Sequence, residues 1–149
     1  MVDPAYEKDH SMPEIVTRLL DAWNSHDIEQ TVGLYGPDHV VIDIAEARTL
    51  HGVEGIRQSL SRYFQAFPDL SFRADEVLVD GTRVTLVWTA HGTHGGAIMH
   101  IPPTGRRVTV RGVTLLTIDG DSVRRSESLW DVAGLLRAIG LLPELNQDA

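Results

Sequence analysis

Two Asp-Gly pairs, at 80–81 and 119–120, sit between runs rich in β-branched and aromatic residues, and they constrain this chain more than any other feature. Asp-Gly suits the two-residue type I′ turn, whose twist matches that of two antiparallel strands. Each pair therefore joins neighbouring strands: Leu70–Val79 to a strand at Val84–Ala90, and Val108–Ile118 to one at Val123–Trp130. Between the second and third strands lies Pro102-Pro103-Thr104-Gly105. Proline has no N–H to give a ladder, so pairing stops there. The result is an antiparallel meander, with His91, His94 and His100 gathered near one sheet end.

Upstream of Leu70 the hydrophobic period is helical. Ser11-Met12-Pro13-Glu14 reads as a capping box, and Val16, Leu19, Leu20 and Trp23 form one stripe of a helix ending near Ser25. Asp27 caps a short second helix with Val32, Leu34 and Tyr35, stopped by Gly36-Pro37. His39–Ile44 is an early strand. A third helix starts near Val53, carries Ile56, Leu60, Tyr63, Phe64 and Phe67 on one side, and stops at Pro68. A tail helix with Val132, Leu135, Leu136 and Ile139 ends at Gly140 and Pro143. The layout is α+β: a curved antiparallel sheet with helices on one face. Residues 1–149 make a single domain, of which 1–10 are a loose tail.

Charge and composition exclude several functions. A formal charge of −8 offers no basic face for nucleic-acid phosphates, and Arg106, Arg107 and Arg111 lack an aromatic stacking platform. No run approaches the roughly 18 apolar residues of a membrane span. The polar N-terminus is not a secretory signal, and the absence of cysteine removes disulfides and thiolate ligands, so a cytoplasmic location is expected. Neither a metal nor a cofactor is expected: there is no HExxH pair, and the GVEG at 52–55 is too short to cradle a pyrophosphate. Val108–Ile118 is apolar enough to need cover on two faces, which points to a homodimer through the outer face of the sheet.

Four segments, WNSHDIEQTVGLYGPDHVV, HGVEGIRQSLSRYFQAFPDL, GTHGG with IPPTGRRVTVRG, and SLWDVAGLLRAIGLLP, together resemble the SnoaL-like polyketide cyclases of the nuclear-transport-factor-2-like (NTF2-like) superfamily. The resemblance spans residues 12–143, and PPTGR followed by V-x-V-x-G is its most specific part. It implies a cone-shaped NTF2-like fold (an α+β barrel) around an apolar pocket, a homodimer, and cofactor-free acid/base chemistry on a polyketide-like or other hydrophobic small molecule. Ring closure is the leading reaction. The alternatives are an epoxide-opening cyclase, an epoxide hydrolase, and a non-catalytic binding domain.

The resemblance also implies a carboxylic acid on the last strand and a polar helper on its neighbour. Alternation puts Val123, Arg125, Glu127, Leu129 and Asp131 on one face, which makes Glu127 the candidate acid if that face lines the pocket. Asp131 is the second candidate, or simply the N-cap of the tail helix. The residue expected opposite Glu127 is near Val113, which is apolar where the helper should stand. His94, within GTHGG, and His100 are candidate proton carriers that could share a cycle with a carboxylate. Asp43, between Ile42 and Ile44, either faces the pocket or lies on the solvated side of its strand. Trp23, Tyr35, Tyr63 and Trp88 serve equally as an aromatic substrate wall or as ordinary core, and Met99 as a pliable lip.

Overall fold

The computed structural model describes residues 12–146. The expected Ser11 cap and the tail at 1–10 lie outside the described residues. In chain order the elements are α1 (Glu14–Ser25), α2 (Ile28–Val32), β1 (Tyr35–Asp43), β2 (Arg48–His51), α3 (Gly52–Ala66), β3 (Ser71–Asp80), β4 (Arg83–Thr93), β5 (Arg107–Asp119), β6 (Ser122–Trp130) and α4 (Val132–Ala138). The six strands form one curved, unclosed sheet in the order β2-β1-β6-β5-β4-β3. The meander read from the two Asp-Gly turns supplies four consecutive strands of it, with Gly81 and Gly120 both at φ 59°.

Burial on β4 and β5 alternates, apart from Thr89, which is buried on the other face, so one face of the sheet is buried and the other is largely left to solvent. Helix α1 supplies Val16, Leu19, Leu20 and Trp23 to the core, all buried, as its stripe requires. Helix α3 lies over β1 and buries Ile56 and Ala66. Leu86 and Leu116 point inward from β4 and β5, and Leu135 of α4 closes the open side. No helix among the described residues is long and apolar enough to cross a membrane.

Four details depart from the sequence reading. The second helix stops at Val32, and β1 starts at Tyr35, running through Gly36-Pro37 as an irregularity in its pairing with β6. Proline is tolerated there because the register shifts between Tyr35 and Val40. Strand β2 has no apolar alternation and was not expected. Strand β1 pairs with β6 in parallel, not antiparallel, because the chain crosses the whole meander before returning beside β1. Finally, β5 is buried on one face only: Thr109, Arg111, Val113, Leu115 and Thr117 alternate with the buried positions. The premise that this strand needs apolar cover on both faces therefore does not hold.

Candidate active site

Between the concave face of the sheet and α1, α3 and α4 is a cavity of about 150 Å³. On the helix side Trp23, Phe64 and Phe67 give it aromatic rings, and the sheet side carries Phe72, Trp88, Val108 and Val110. Trp23 tilts against Phe72 at 5.2 Å, and Phe72 meets the edge of Trp88 at 5.4 Å. These contacts fix the rings as flat panels. Trp23, Tyr35, Asp43, Tyr63 and Trp88 line the cavity, while Met99, Glu127, Asp131, His94 and His100 are not among its lining residues.

Glu127 is displaced by one extra residue in its strand. Thr117 pairs with Arg125, but the next residue, Ile118, pairs with Val123, so Arg124 is bulged out. Val123 faces the core, and beyond the bulge the inward positions are Ser126, Ser128 and Trp130, not Arg125, Glu127 and Leu129. Glu127 stands on the outer face near Arg125 at 3.7 Å. Opposite it is Leu115; the residue opposite Ser128 is Thr114, the cavity-facing polar residue of β5. Asp131 caps α4, accepting from the Gly134 N–H at 2.8 Å.

The carboxylate that does line the cavity is Asp43, at the end of β1 and beside Ser128 in register. Its Oδ1 accepts from the Glu46 N–H at 3.0 Å and from the Trp130 indole at 3.2 Å. The Tyr63 hydroxyl, from α3, lies against both Asp43 Oδ2 and Glu46 Oε2. Arg62 pairs with Glu46, whose side chain is almost fully buried. Burial first, and then the charge of Asp43, raise the Tyr63 pKa well above the ordinary phenol value. Tyr63 therefore stays protonated and holds the carboxyl as a donor.

Further along β6 the wall is polar but uncharged. Trp88 donates its indole N–H to Thr114 Oγ1 at 2.9 Å, and Thr114 and Ser128 share a hydrogen bond at 2.8 Å. Gly112, the register partner of Trp88, makes this possible: a Cβ there would sit 2.3 Å from the indole ring. One step back, Ser126 Oγ lies 3.3 Å from Nε2 of His39, which is 1% exposed and packs edge-on against Tyr35. Burial lowers the His39 pKa from 6.5 to about 4, so the ring is neutral near pH 7. Burial likewise raises the Tyr35 hydroxyl pKa. The sequence reading passed over His39, Thr114, Ser126, Ser128 and Trp130. For His39 a signal existed, since it shares parity with Val41 and Asp43; for β6 the bulge conceals it.

The histidine-rich loop has a different task. Gly95 and Gly96 both give their N–H to Ala66 O at 3.0 Å, closing the end of α3, and a Cβ on Gly96 would meet Gln65 O at 2.1 Å. His94 is fully buried; its Nδ1 accepts from the Thr104 N–H at 3.2 Å and meets Thr104 Oγ1 at 3.0 Å. Met99 and His100 both have positive φ, and His100 is exposed. Among the described residues, no group of three or more His, Asp or Glu side chains is placed to hold a metal ion.

Comparison with known proteins agrees with this architecture. AclR from Streptomyces galilaeus, a candidate hydroxylase, superposes with a TM-score of 0.79 at 25% identity, over 90% of this chain and 87% of that one. A protein with the ketosteroid isomerase-like fold from Catenulispora acidiphila, bound to trimethylamine, gives 0.77 at 22% identity, over 91% and 99%. IdmH from Streptomyces antibioticus, a candidate polyketide cyclase, gives 0.73 at 24% identity, over 85% and 96%. No curated protein matches the sequence. Residues 13–139, almost the whole described chain, match the SnoaL-like polyketide cyclase family. With the curved sheet, the covering helices and the apolar cavity between them, that match makes this chain a member of the SnoaL-like polyketide cyclase family.

Proposed function

We propose that the protein is a cofactor-free acid/base enzyme of the cytoplasm that closes a ring in a polyketide-like or similar hydrophobic metabolite, with Asp43 as the proton carrier. The observation that carries this reading is that Asp43 is the carboxylate among the cavity-lining residues, in an otherwise apolar and hydroxyl-bearing wall. In an aldol closure Asp43 takes a proton from the carbon alpha to one carbonyl. The resulting enolate carbon bonds to a second carbonyl carbon, and the carboxylic acid returns its proton to the new alkoxide. One C–C bond forms and the proton count is unchanged. Tyr63 and Trp130 hold the carboxyl in place throughout.

Among the described residues no arginine lines the cavity, which favours ring closure over a hydrolase that spans two aspartates with an arginine. A binding-only domain is disfavoured by a carboxyl placed in the cavity wall, since an apolar ligand gains nothing from it.

The test uses α-tetralone, a two-ring ketone whose alpha protons exchange slowly without catalysis. Exchange into deuterium oxide, followed by NMR with a chelator present, should be accelerated by the protein. Asp43→Asn should lower that acceleration by about 10²–10⁴-fold. An unchanged rate in Asp43→Asn overturns the assignment.

The homodimer belongs to the same proposal. On the outer face Leu115 and Leu129 are 37% and 55% exposed, with Val113 paired to Leu129 between the two strands. Sedimentation at micromolar concentration should give a dimer, and Leu129→Arg should shift it to monomer; a wild-type monomer counts against it.

A further inference from the structure

The cavity wall formed by β6 and its neighbours can be read atom by atom for what it offers a ligand. Thr114 and Ser128 carry two hydroxyl hydrogens between them. One is consumed in their mutual hydrogen bond, and the Trp88 N–H fills an acceptor position on Thr114. Whichever of the two is the internal donor, one hydrogen is left, and both side chains line the cavity.

Ser126 gives a second. His39 is buried, and its Nδ1 has no hydrogen-bond partner. A buried N–H without an acceptor costs more than a buried lone pair, so the ring proton belongs on Nε2. Nε2 then donates to Ser126 Oγ, which frees the Ser126 hydrogen for the cavity. Thr114 and Ser126 are 2% and 6% exposed, and Ser128 is partly buried, so both donors are largely withdrawn from bulk solvent.

Ser126 and Ser128 are two residues apart on one strand, which separates the two donors by roughly 6.5–7 Å. That is close to the reach across one six-membered ring carrying carbonyl oxygens on opposite sides. The rest of the lining includes the rings of Trp23, Phe64, Phe67 and Phe72. An apolar protein cavity of about 150 Å³ accommodates one benzene ring, and this cavity is of that size. Its lining residues Phe64, Phe72 and Trp130 are partly exposed, which leaves a second ring room toward solvent.

We propose that the cavity takes a flat one- or two-ring ligand with two carbonyl-type oxygens along β6, one against Ser126 and one against the Thr114–Ser128 pair. This rests on the reading of the cavity as the substrate site, and it narrows the substrate to a small oxygenated ring system. A four-ring skeleton is larger than the cavity of about 150 Å³ and would have to leave rings outside it. The oxygen nearest the Thr114–Ser128 donor lies beside Asp43, so the carbon next to that carbonyl is the one that meets the carboxyl.

The three tryptophans of the chain, Trp23, Trp88 and Trp130, all line the cavity, so intrinsic fluorescence supports calorimetry as a readout. The probes are naphthalene (no oxygen), menadione (two opposed ring carbonyls) and daunorubicin (four rings), titrated into the full chain. Menadione should bind at least about tenfold more tightly than naphthalene, and daunorubicin should bind more weakly than menadione. Ser126→Ala, and the double variant Thr114→Val with Ser128→Ala, which removes both hydroxyl hydrogens of that pair, should each weaken menadione about fivefold, the usual worth of one hydrogen bond, and leave naphthalene unchanged. Naphthalene binding in the same variants shows that the cavity is intact. Equal binding of naphthalene and menadione, equal losses for both in the serine variants, or daunorubicin binding as tightly as menadione would each overturn the proposal. Because binding is read without turnover, failure here is distinct from failure of Asp43 as the proton carrier, which the exchange assay reads.

Discussion

The loop between β4 and β5 and the seam between β1 and β6 are opposites. The loop holds the residues that stand out in the sequence: His94, paired glycines, His100, Pro102-Pro103. The seam turns Asp43, Ser126, Ser128 and Trp130 to the cavity from its two strands. Yet the loop closes the end of α3, latches itself through His94 and Thr104 and gives the cavity only the apolar Ile98, whereas the seam supplies a carboxyl and two serine hydroxyls to its lining. Residue types with special backbone needs draw the eye because few others can replace them, and those needs concern geometry. Chemistry in a closed cavity needs only a carboxyl and a few hydroxyls facing inward, which any alternating strand can supply.

The sharpest way to break this contrast is to separate activity from stability. Asp43→Asn should lower catalysed exchange by about 10²–10⁴-fold while the folded state is largely kept, because asparagine still accepts from Trp130 and from Glu46 N–H. If instead a loop variant removes activity from molecules that remain folded, the contrast fails.

A smaller effect follows from His39, within the seam. Its folded pKa is depressed from 6.5 to about 4 by burial. Between those values the unfolded chain binds a proton that the folded chain refuses, so stability is full above pH 6.5 and is lost as pH falls toward 4. At 1.36 kcal/mol per unit, the loss is about 3 kcal/mol. Denaturant melts across that range should show the difference between wild type and His39→Asn shrinking by about this amount as pH falls. A difference that stays constant with pH removes His39 as the cause.

The loop should answer in stability alone. His94→Leu leaves the Thr104 N–H without its acceptor and should cost about 1–3 kcal/mol. The folded fraction should keep its full exchange activity, because His94 does not line the cavity. A drop in activity per folded molecule restores His94 as a proton carrier.

Much of the fold was legible because it depends on local signals. The two Asp-Gly turns gave the meander, and the spacing of Val16, Leu19, Leu20 and Trp23 gave α1 and its buried face. Strand β2 was not legible: Arg48-Thr49-Leu50-His51 has no alternating apolar face and is held by pairing with β1. The same holds for the parallel pairing of β1 with β6, a long-range consequence of where the chain returns. Within the site, Asp43 was visible but its direction was open, since Ile42 and Ile44 flank it symmetrically. In the structure Asp43 lines the cavity and meets Tyr63 of another element, a long-range contact that no spacing rule reaches. The serines were hidden by Arg124, because one bulged residue reverses the parity of every position beyond it.

The bulge also sets up the prediction with the smallest expected effect. Glu127 belongs to the seam in sequence but to the outer face in space, so it tests whether strand position or facing decides a role. Its side chain is 29% exposed and its contact with Arg125 is 3.7 Å, longer than a good ion pair. Exposed pairs of this kind contribute about 0–1 kcal/mol. Glu127→Gln should therefore change stability by no more than about 0.5 kcal/mol and leave α-tetralone exchange at the wild-type rate. Glutamine keeps the length and shape, so a null result cannot be blamed on a collapsed strand. A fall of tenfold or more would mean that the outer face takes part in the reaction. Since Glu127 stands between the exposed Leu115 and Leu129, repeating the measurement in Leu129→Arg would then decide between a role through the dimer contact and a direct one.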